Sequence, residues 1–340
     1  MRKVLPISEP DVKAYAKHAH IFAILGAQSS LYRLWIYNYY VQLSVPEGSH
    51  QFTLDYLIPS IFTFAPNLFV SRIERNIAVD VKQGILNFIK YQIERGYYIY
   101  TYLAVNRIAA YQYEQFHAHD PLIFGYDDEK EEIYFADTYQ NGHYAVGVAT
   151  YDEIVAAAGT ENEWPEWGLT PWTLDVVCMK YKDLGVCFEF NKEMYIQLLE
   201  DYLLKRNSYE IHWGVVGWRK GAKVKRIYGI GIYSYIREHI SWAKREKKVI
   251  DTRGFFVILE HKKILEKTLV YLLGDEWKKR FQEEGQLLDT VIEKATIMLN
   301  LCIKYNYTLN SKKLDSINLY SQEIETKEKD FFNKVIQLLS

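Results

Sequence analysis

Cysteine is scarce in this chain: Cys178, Cys187 and Cys302 are its three, in 340 residues. Their spacing gives neither a disulfide framework nor a zinc-binding set, so reduced thiols are expected. An imbalance of charge is also lacking. Forty-one basic side chains face forty-three acidic ones, a formal net charge of −2, so no global basic field exists to hold a polyanion and nucleic acid is not an expected partner. No stretch approaches the roughly 18 uncharged apolar residues of a membrane span, so no membrane partner is expected. The opening residues MRKVLPISEPDVKAYAKHAH carry two early basic side chains but no apolar core or small-residue cleavage site, which points to a cytoplasmic protein. A glycine-rich phosphate loop of the known kinds is missing, so no nucleotide or other cofactor is expected.

What remains is an ordinary globular composition, 49% hydrophobic and 25% charged, on a chain too long for the commonest single core. Two domains are expected. Tyrosine is abundant, at 29 residues, in runs such as 37–40 and 97–102. These runs fit strands and helix faces that half-bury bulky rings; lining a pocket is the alternative use.

Hydrophobic periodicity predicts a long or broken helix over 18–43, with Ile21, Ile24, Leu25, Leu31, Leu34 and Trp35 on one stripe. A second helix is predicted over 80–95, capped by Asp80, carrying Val81, Ile85, Phe88 and Ile89, and closed by Gly96. Tyr97–Val105 reads as a strand. Asn141-Gly142 marks a turn before a strand over 143–148, and Thr150 with Glu153 forms a capping box for a short helix ending at Gly159. Strand character returns over 176–190. From Asn191 onward the pattern changes to amphipathic helices over 192–206, 228–246, 255–273, 284–304 and 313–339. The expected organisation is an α+β domain with a mainly antiparallel sheet over residues 1–190, followed by a helical lobe over 191–340.

The chemistry-bearing stretch is FHAHDPLIFGYDDEKEEIYFADTYQNGHY, residues 116–144. Runs 121–126 and 131–136 flank the polar cluster Asp127 to Lys130 and read as a hairpin. With the turn centred near Asp128, Ile123 faces Ile133 and His119 faces Asp137. Directly opposed side chains lie roughly 5 Å apart at Cβ. An aspartate so placed orients an imidazole and stabilises its protonated form; the bland alternative is a surface hydrogen bond at a strand end. His18, His20 and His117 are candidates to line the same site, as acid/base groups or, with His119 and Asp120, as a nitrogen-rich zinc set. Residues two apart on a helix do not share a face, and no metal is the expectation retained.

The run His119-Asp-Pro-Leu-Ile-Phe-Gly-Tyr-Asp127, then Tyr134-Phe-Ala-Asp137, Tyr144 and the capped helix from Thr150 resembles papain-like, bacteriocin-processing-peptidase-like domains. It is most similar to the family of butirosin biosynthesis protein H, best over 10–160 and more weakly to about 310, including Leu259-Glu260-His261-Lys262-Lys263. The resemblance implies a papain-like fold and a place in peptide or aminoglycoside antibiotic assembly. It further implies a cysteine near the start of an early helix that attacks a thioester or amide, followed by a histidine and an aspartate, matched here by His119 and Asp137. The cysteine has no match: the helix reads Lys17-His18-Ala19-His20-Ile21-Phe22, and no cysteine precedes Cys178. Ser29 or Ser30 would have to serve instead, or Cys178 or Cys187 from a later strand, or the site works without a covalent intermediate. The most basic segment, 218–248, includes Lys223 and Arg226 as candidates to dock an acidic acyl or peptidyl carrier protein; a solvated face is the plain alternative. The expected function is acyltransferase-like handling of a thioester- or amide-linked small-molecule or peptide substrate, with His119 as base and Asp137 as orienter. The alternative is a catalytically inactive binding or scaffold protein of the same kind of pathway, and proteolysis comes third.

Overall fold

The computed structural model describes residues 1–48, 52–58, 60–140, 142–160, 163, 175–185, 188–208 and 225–340. The elements begin with β1 (Arg2–Val4), α1 (Ala16–Gln28), α2 (Tyr32–Tyr39), β2 (Leu43–Pro46) and β3 (Asp55–Tyr56). They continue with α3 (Ile61–Phe64), β4 (Leu68–Glu74), α4 (Arg75–Lys82), α5 (Ile85–Glu94), β5 (Tyr98–Tyr100) and β6 (Leu103–Ala104). Next come β7 (Ala118–His119), β8 (Leu122–Asp127), β9 (Glu132–Gln140), β10 (His143–Thr150), α6 (Tyr151–Ala158) and β11 (Asp175–Tyr181). The chain closes with α7 (Lys192–Leu203), β12 (Arg226–Tyr228), α8 (Ile232–Glu246), α9 (Arg253–Leu273), α10 (Trp277–Arg280), α11 (Gln282–Thr308) and α12 (Lys312–Leu339).

Two compact units result, one from residues 1–32 and 60–187, the other from 33–59 and 188–340. The expected division after residue 190 lies three residues past the observed change, and segment 33–59 belongs with the later unit. Its residues explain this: Tyr40, Val41, Leu43, Val45, Phe52 and Leu54 are all buried, and β2 pairs with β12 and β3.

In the first unit the described strands form a seven-stranded sheet, β10-β9-β8-β5-β11-β4 with β1 on β8, and every pairing is antiparallel. Its rows are supplied by alternating apolar residues such as Ile123, Ile133, Phe135, Val176 and Cys178, all buried. The helix α1 lies against β9 and β11. A two-stranded ladder, β6 with β7, stands apart from the main sheet and pairs Leu103 with His119 and Ala104 with Ala118.

Local chemistry accounts for the element ends. At α6 both capping-box bonds form, Glu153 N–H to Thr150 Oγ1 at 3.2 Å and Thr150 N–H to Glu153 Oε2 at 2.8 Å. The helix predicted over 80–95 is two helices: Gln83 and Gly84 adopt φ of 55° and 134°, so Asp80 lies inside α4 and Val81 is exposed. The helix predicted over 18–43 breaks at Ser29–Leu31 and ends at Tyr39, and its last residue, Leu43, opens β2. Strand character after Cys178 stops at Tyr181.

Among its described residues the second unit is helical except for the β12-β2-β3 sheet and the connecting loops. Helices α11 and α12 form an αα-hairpin turned at Leu309, which takes φ of 49°. Of the apolar stripe Leu288, Ile292, Ala295, Leu299 and Cys302, all but the half-buried Ile292 are buried. No helix among the described residues is long and apolar enough to cross a membrane.

Candidate active site

Asp137 sits on β9 opposite Ala145 of β10 and is fully buried. A buried carboxylate must collect hydrogen bonds to stay charged, and this one accepts three. His119 Nδ1 lies 2.6 Å from its Oδ2, the Tyr111 hydroxyl donates to the same oxygen at 2.5 Å, and the Thr138 amide donates to Oδ1 at 2.7 Å. Burial pushes the Asp137 pKa up, but the bond and charge of His119 and the bond from Tyr111 hold it below the ordinary 3.8.

His119 reaches Asp137 by a route different from the predicted one. The hairpin register pairs Ile123 with Phe135, and Tyr126 with Ile133, with a bulge between Ile123 and Gly125. It is thus displaced by two to three residues from a turn centred on Asp128. His119 itself pairs with Leu103 across the β6–β7 ladder, and its ring approaches Asp137 from beside the end of the β8–β9 hairpin. The His119 side chain remains 29% exposed while Asp137 is at 0%. With Nδ1–H given to the carboxylate, the Nε2 lone pair is the basic position of the ring.

His20, in the middle of α1, joins the same cluster. Its Nε2 lies 2.8 Å from the Asp120 carbonyl and its Nδ1 3.0 Å from the Tyr144 hydroxyl. Burial lowers its pKa, against the opposing pull of Asp137 and Asp120, which keeps the ring neutral. The Asp120 carboxylate accepts the Tyr100 hydroxyl and has Oδ1 3.7 Å from His119 Nδ1. Burial raises its pKa, more than His119, Tyr100 and His20 lower it. His117 stacks on His119 with ring centroids 5.9 Å apart and planes at 16°; burial, then the charge of His119, lowers its pKa. His18 is buried beside the edge of the Tyr15 ring.

The nucleophile candidates lie elsewhere in the fold. Ser29 and Ser30 follow the C-terminal end of α1, nine and ten residues beyond His20, or about 13–15 Å of helix axis. The Ser29 hydroxyl oxygen accepts the Leu31 amide at 3.1 Å, and Ser30 is exposed. Cys178 is buried in β11, where desolvation pushes its thiol up to about 12. Cys302 is buried in α11 and likewise pushed up to about 12, by burial and then by Asp251; at such values little reactive thiolate forms. Cys187 lies outside the described residues.

Lys223 also lies outside the described residues. Arg226 is engaged within its unit: Nε and Nη2 donate to Ser44 Oγ at 3.2 and 2.8 Å, and burial lowers its pKa. Further along the basic segment, Arg237 pairs with Glu325 at 2.7 Å and Lys244 with Asp315 at 2.5 Å, both acids on α12. Two of the segment's basic side chains, Arg237 and Lys244, are therefore paired with acids of α12. Among the described residues, no group of three or more His, Cys, Asp or Glu side chains is placed to hold a metal ion.

Tyr111 and Tyr100 carry no sequence signal that separates them from the other tyrosines. Tyr111 meets Asp137 across 26 residues, and is fixed there by stacking on Phe135 at 5.3 Å and 10°.

No family model matches the chain, and no curated protein matches it.

Proposed function

We propose that the chain is a papain-like protein of natural-product assembly, related to the butirosin biosynthesis protein H family, that transfers an acyl group directly from a thioester to an acceptor. His119 is the general base and Asp137 its orienting carboxylate. The observation that carries this reading is the combination at one point of a fully buried, triply hydrogen-bonded Asp137 and a partly exposed His119 bonded to it. In such a pair the carboxylate orients the imidazole and stabilises its protonated form, which suits it to general base work.

The step uses no enzyme nucleophile. An acceptor amine attacks the thioester carbonyl carbon and its proton passes to His119 Nε2. The C–N bond forms, the C–S bond breaks, and the imidazolium, stabilised by Asp137, returns the proton to the leaving thiolate. A thioester presented on an acyl or peptidyl carrier protein fits this chemistry as well as a free one. General base catalysis typically supplies 10²–10⁴-fold, so His119→Ala is expected to lower turnover of an N-acetylcysteamine acyl thioester with an amine acceptor by about that factor, with the far-UV spectrum unchanged. Equal rates in both proteins would remove the base from this role.

The burial of Cys178 and the placement of Ser29 away from His119 also favour a second reading, a catalytically retired member that binds or scaffolds. It expects partner or acyl-group affinity, measured by calorimetry, with no turnover for His119→Ala to reduce.

A further inference from the structure

We infer that His20 is a positioning residue for His119, acting through the backbone carbonyl of Asp120, the residue that follows the base. This inference takes its catalytic meaning from the reading of His119 given above.

A carbonyl oxygen only accepts, so the 2.8 Å contact between His20 Nε2 and the Asp120 carbonyl requires the proton on Nε2. In the neutral ring Nδ1 is then an acceptor, and the Tyr144 hydroxyl at 3.0 Å donates to it. Both nitrogens are thereby committed. His20 has 0% exposure, so neither bond is shared with solvent, and an unmade bond here would leave a buried polar group unpaired. A histidine so held is not a competing base or acid; it is a brace.

Its placement gives the brace its effect. His20 comes from α1, Tyr144 from β10, and Asp120 is the residue after His119. The Asp120 carboxylate is held separately by the Tyr100 hydroxyl of β5. On the other side of the base, Ala118 and His119 are paired to Ala104 and Leu103, and the His117 carbonyl accepts the Val105 amide at 2.9 Å. The backbone on both sides of His119 is therefore fixed by hydrogen bonds to separate elements. Of these, the His20 bond is the one made by a buried side chain to the carbonyl of Asp120, the residue after the base. Without it, nothing in this set holds that carbonyl, and the His119 ring loses the register that brings Nδ1 within 2.6 Å of Asp137.

The test reads the His119 Nδ1–H proton directly, by ¹H–¹⁵N spectroscopy of the full-length protein, its resonance assigned by its absence in His119→Ala. The resonance is expected to be protected from solvent exchange in the native protein and to be lost in His20→Leu. His20→Gln, whose amide offers one donor and one acceptor, is expected to retain it. If His119 is the base, His20→Leu also lowers kcat, by roughly 100-fold as for other misplacements near 1 Å, with KM unchanged. A folded His20→Leu protein that keeps the resonance at native intensity overturns the inference. Should His20→Leu fail to fold, Tyr144→Phe decides: a weakened resonance supports the brace, and a native one overturns it. Absence of turnover in every protein would defeat the transfer reading alone, since the resonance reports position without any reaction.

Discussion

At Asp137, two donors converge on one buried oxygen, and each leaves a measurable trace. Tyr111→Phe removes an O–H bond to a charged acceptor, which is expected to cost roughly 1.5–3 kcal/mol. The sign with pH follows from the direction of the Asp137 shift. Its folded pKa lies below the ordinary 3.8, so the stabilisation is complete above that value and is lost as pH falls through the folded pKa. The deficit of Tyr111→Phe is therefore expected in urea unfolding at pH 7 and should shrink toward pH 3. The His119 and Asp137 pair was legible from residues 116–144, because a histidine and an aspartate flank a hairpin there. The way they meet was not. The hairpin register is set by a bulge between Ile123 and Gly125, which no residue type in the run announces, and the pairing of His119 with Leu103 depends on a strand of only two residues. Tyr111 was invisible for a different reason, since its role comes from stacking on Phe135 rather than from any local pattern.

Elements were legible where their ends are chemically marked. The capping box at Thr150 and the positive φ of Gly159 delimit α6 as expected. The break between α4 and α5 was missed because it depends on Gln83 as well as Gly84 entering the left-handed region, a conformation uncommon for a non-glycine residue. Gly147 shows how an element supports the site. A Cβ built there would lie 2.4 Å from the Phe135 ring, and Phe135 is the ring on which Tyr111 stacks. Gly147→Val is expected to displace Phe135, cost about 1–3 kcal/mol by overpacking, and loosen the Tyr111 bond to Asp137. The last effect is observable as faster exchange of the His119 Nδ1–H proton. Unchanged exchange in a destabilised protein would show that β10 and the site are not coupled through these rings.

Over the whole molecule, the change from strand to helical pattern near residue 190 was legible in the periodicity, whereas the return of 33–59 to the later unit was not. That return depends on long-range burial of residues such as Tyr40, Val41 and Leu43, which locally read as the tail of a helix, and of Val45, Phe52 and Leu54 beyond it. A fragment of residues 1–190 carries this segment without the helices it packs among, and is expected to bind an apolar dye more strongly than the full chain. Within the later unit, His261 Nε2 donates to the Val41 carbonyl at 2.7 Å, Lys262 Nζ lies 2.8 Å from His261 Nδ1, and Lys262 pairs with Glu328, all buried. Burial, and then the Lys262 charge, hold the His261 pKa well below 6.5. The unfolded chain thus binds a proton that the folded chain refuses, and stability falls as pH drops below about 6.5. His261→Gln, able to donate to Val41 and accept from Lys262, is expected to flatten that fall in urea midpoints between pH 7.5 and 5.5; His20, shifted in the same direction, leaves a residual slope.

Direct transfer at His119, with no acyl-enzyme, is tested most directly by intact-protein mass spectrometry of samples quenched during turnover of an acyl thioester with an amine acceptor. The expected result is accumulating amide product beside protein of unchanged mass. An acyl mass increment that forms and decays during turnover and maps to a serine or cysteine, or no product from any thioester and acceptor pair, would contradict it.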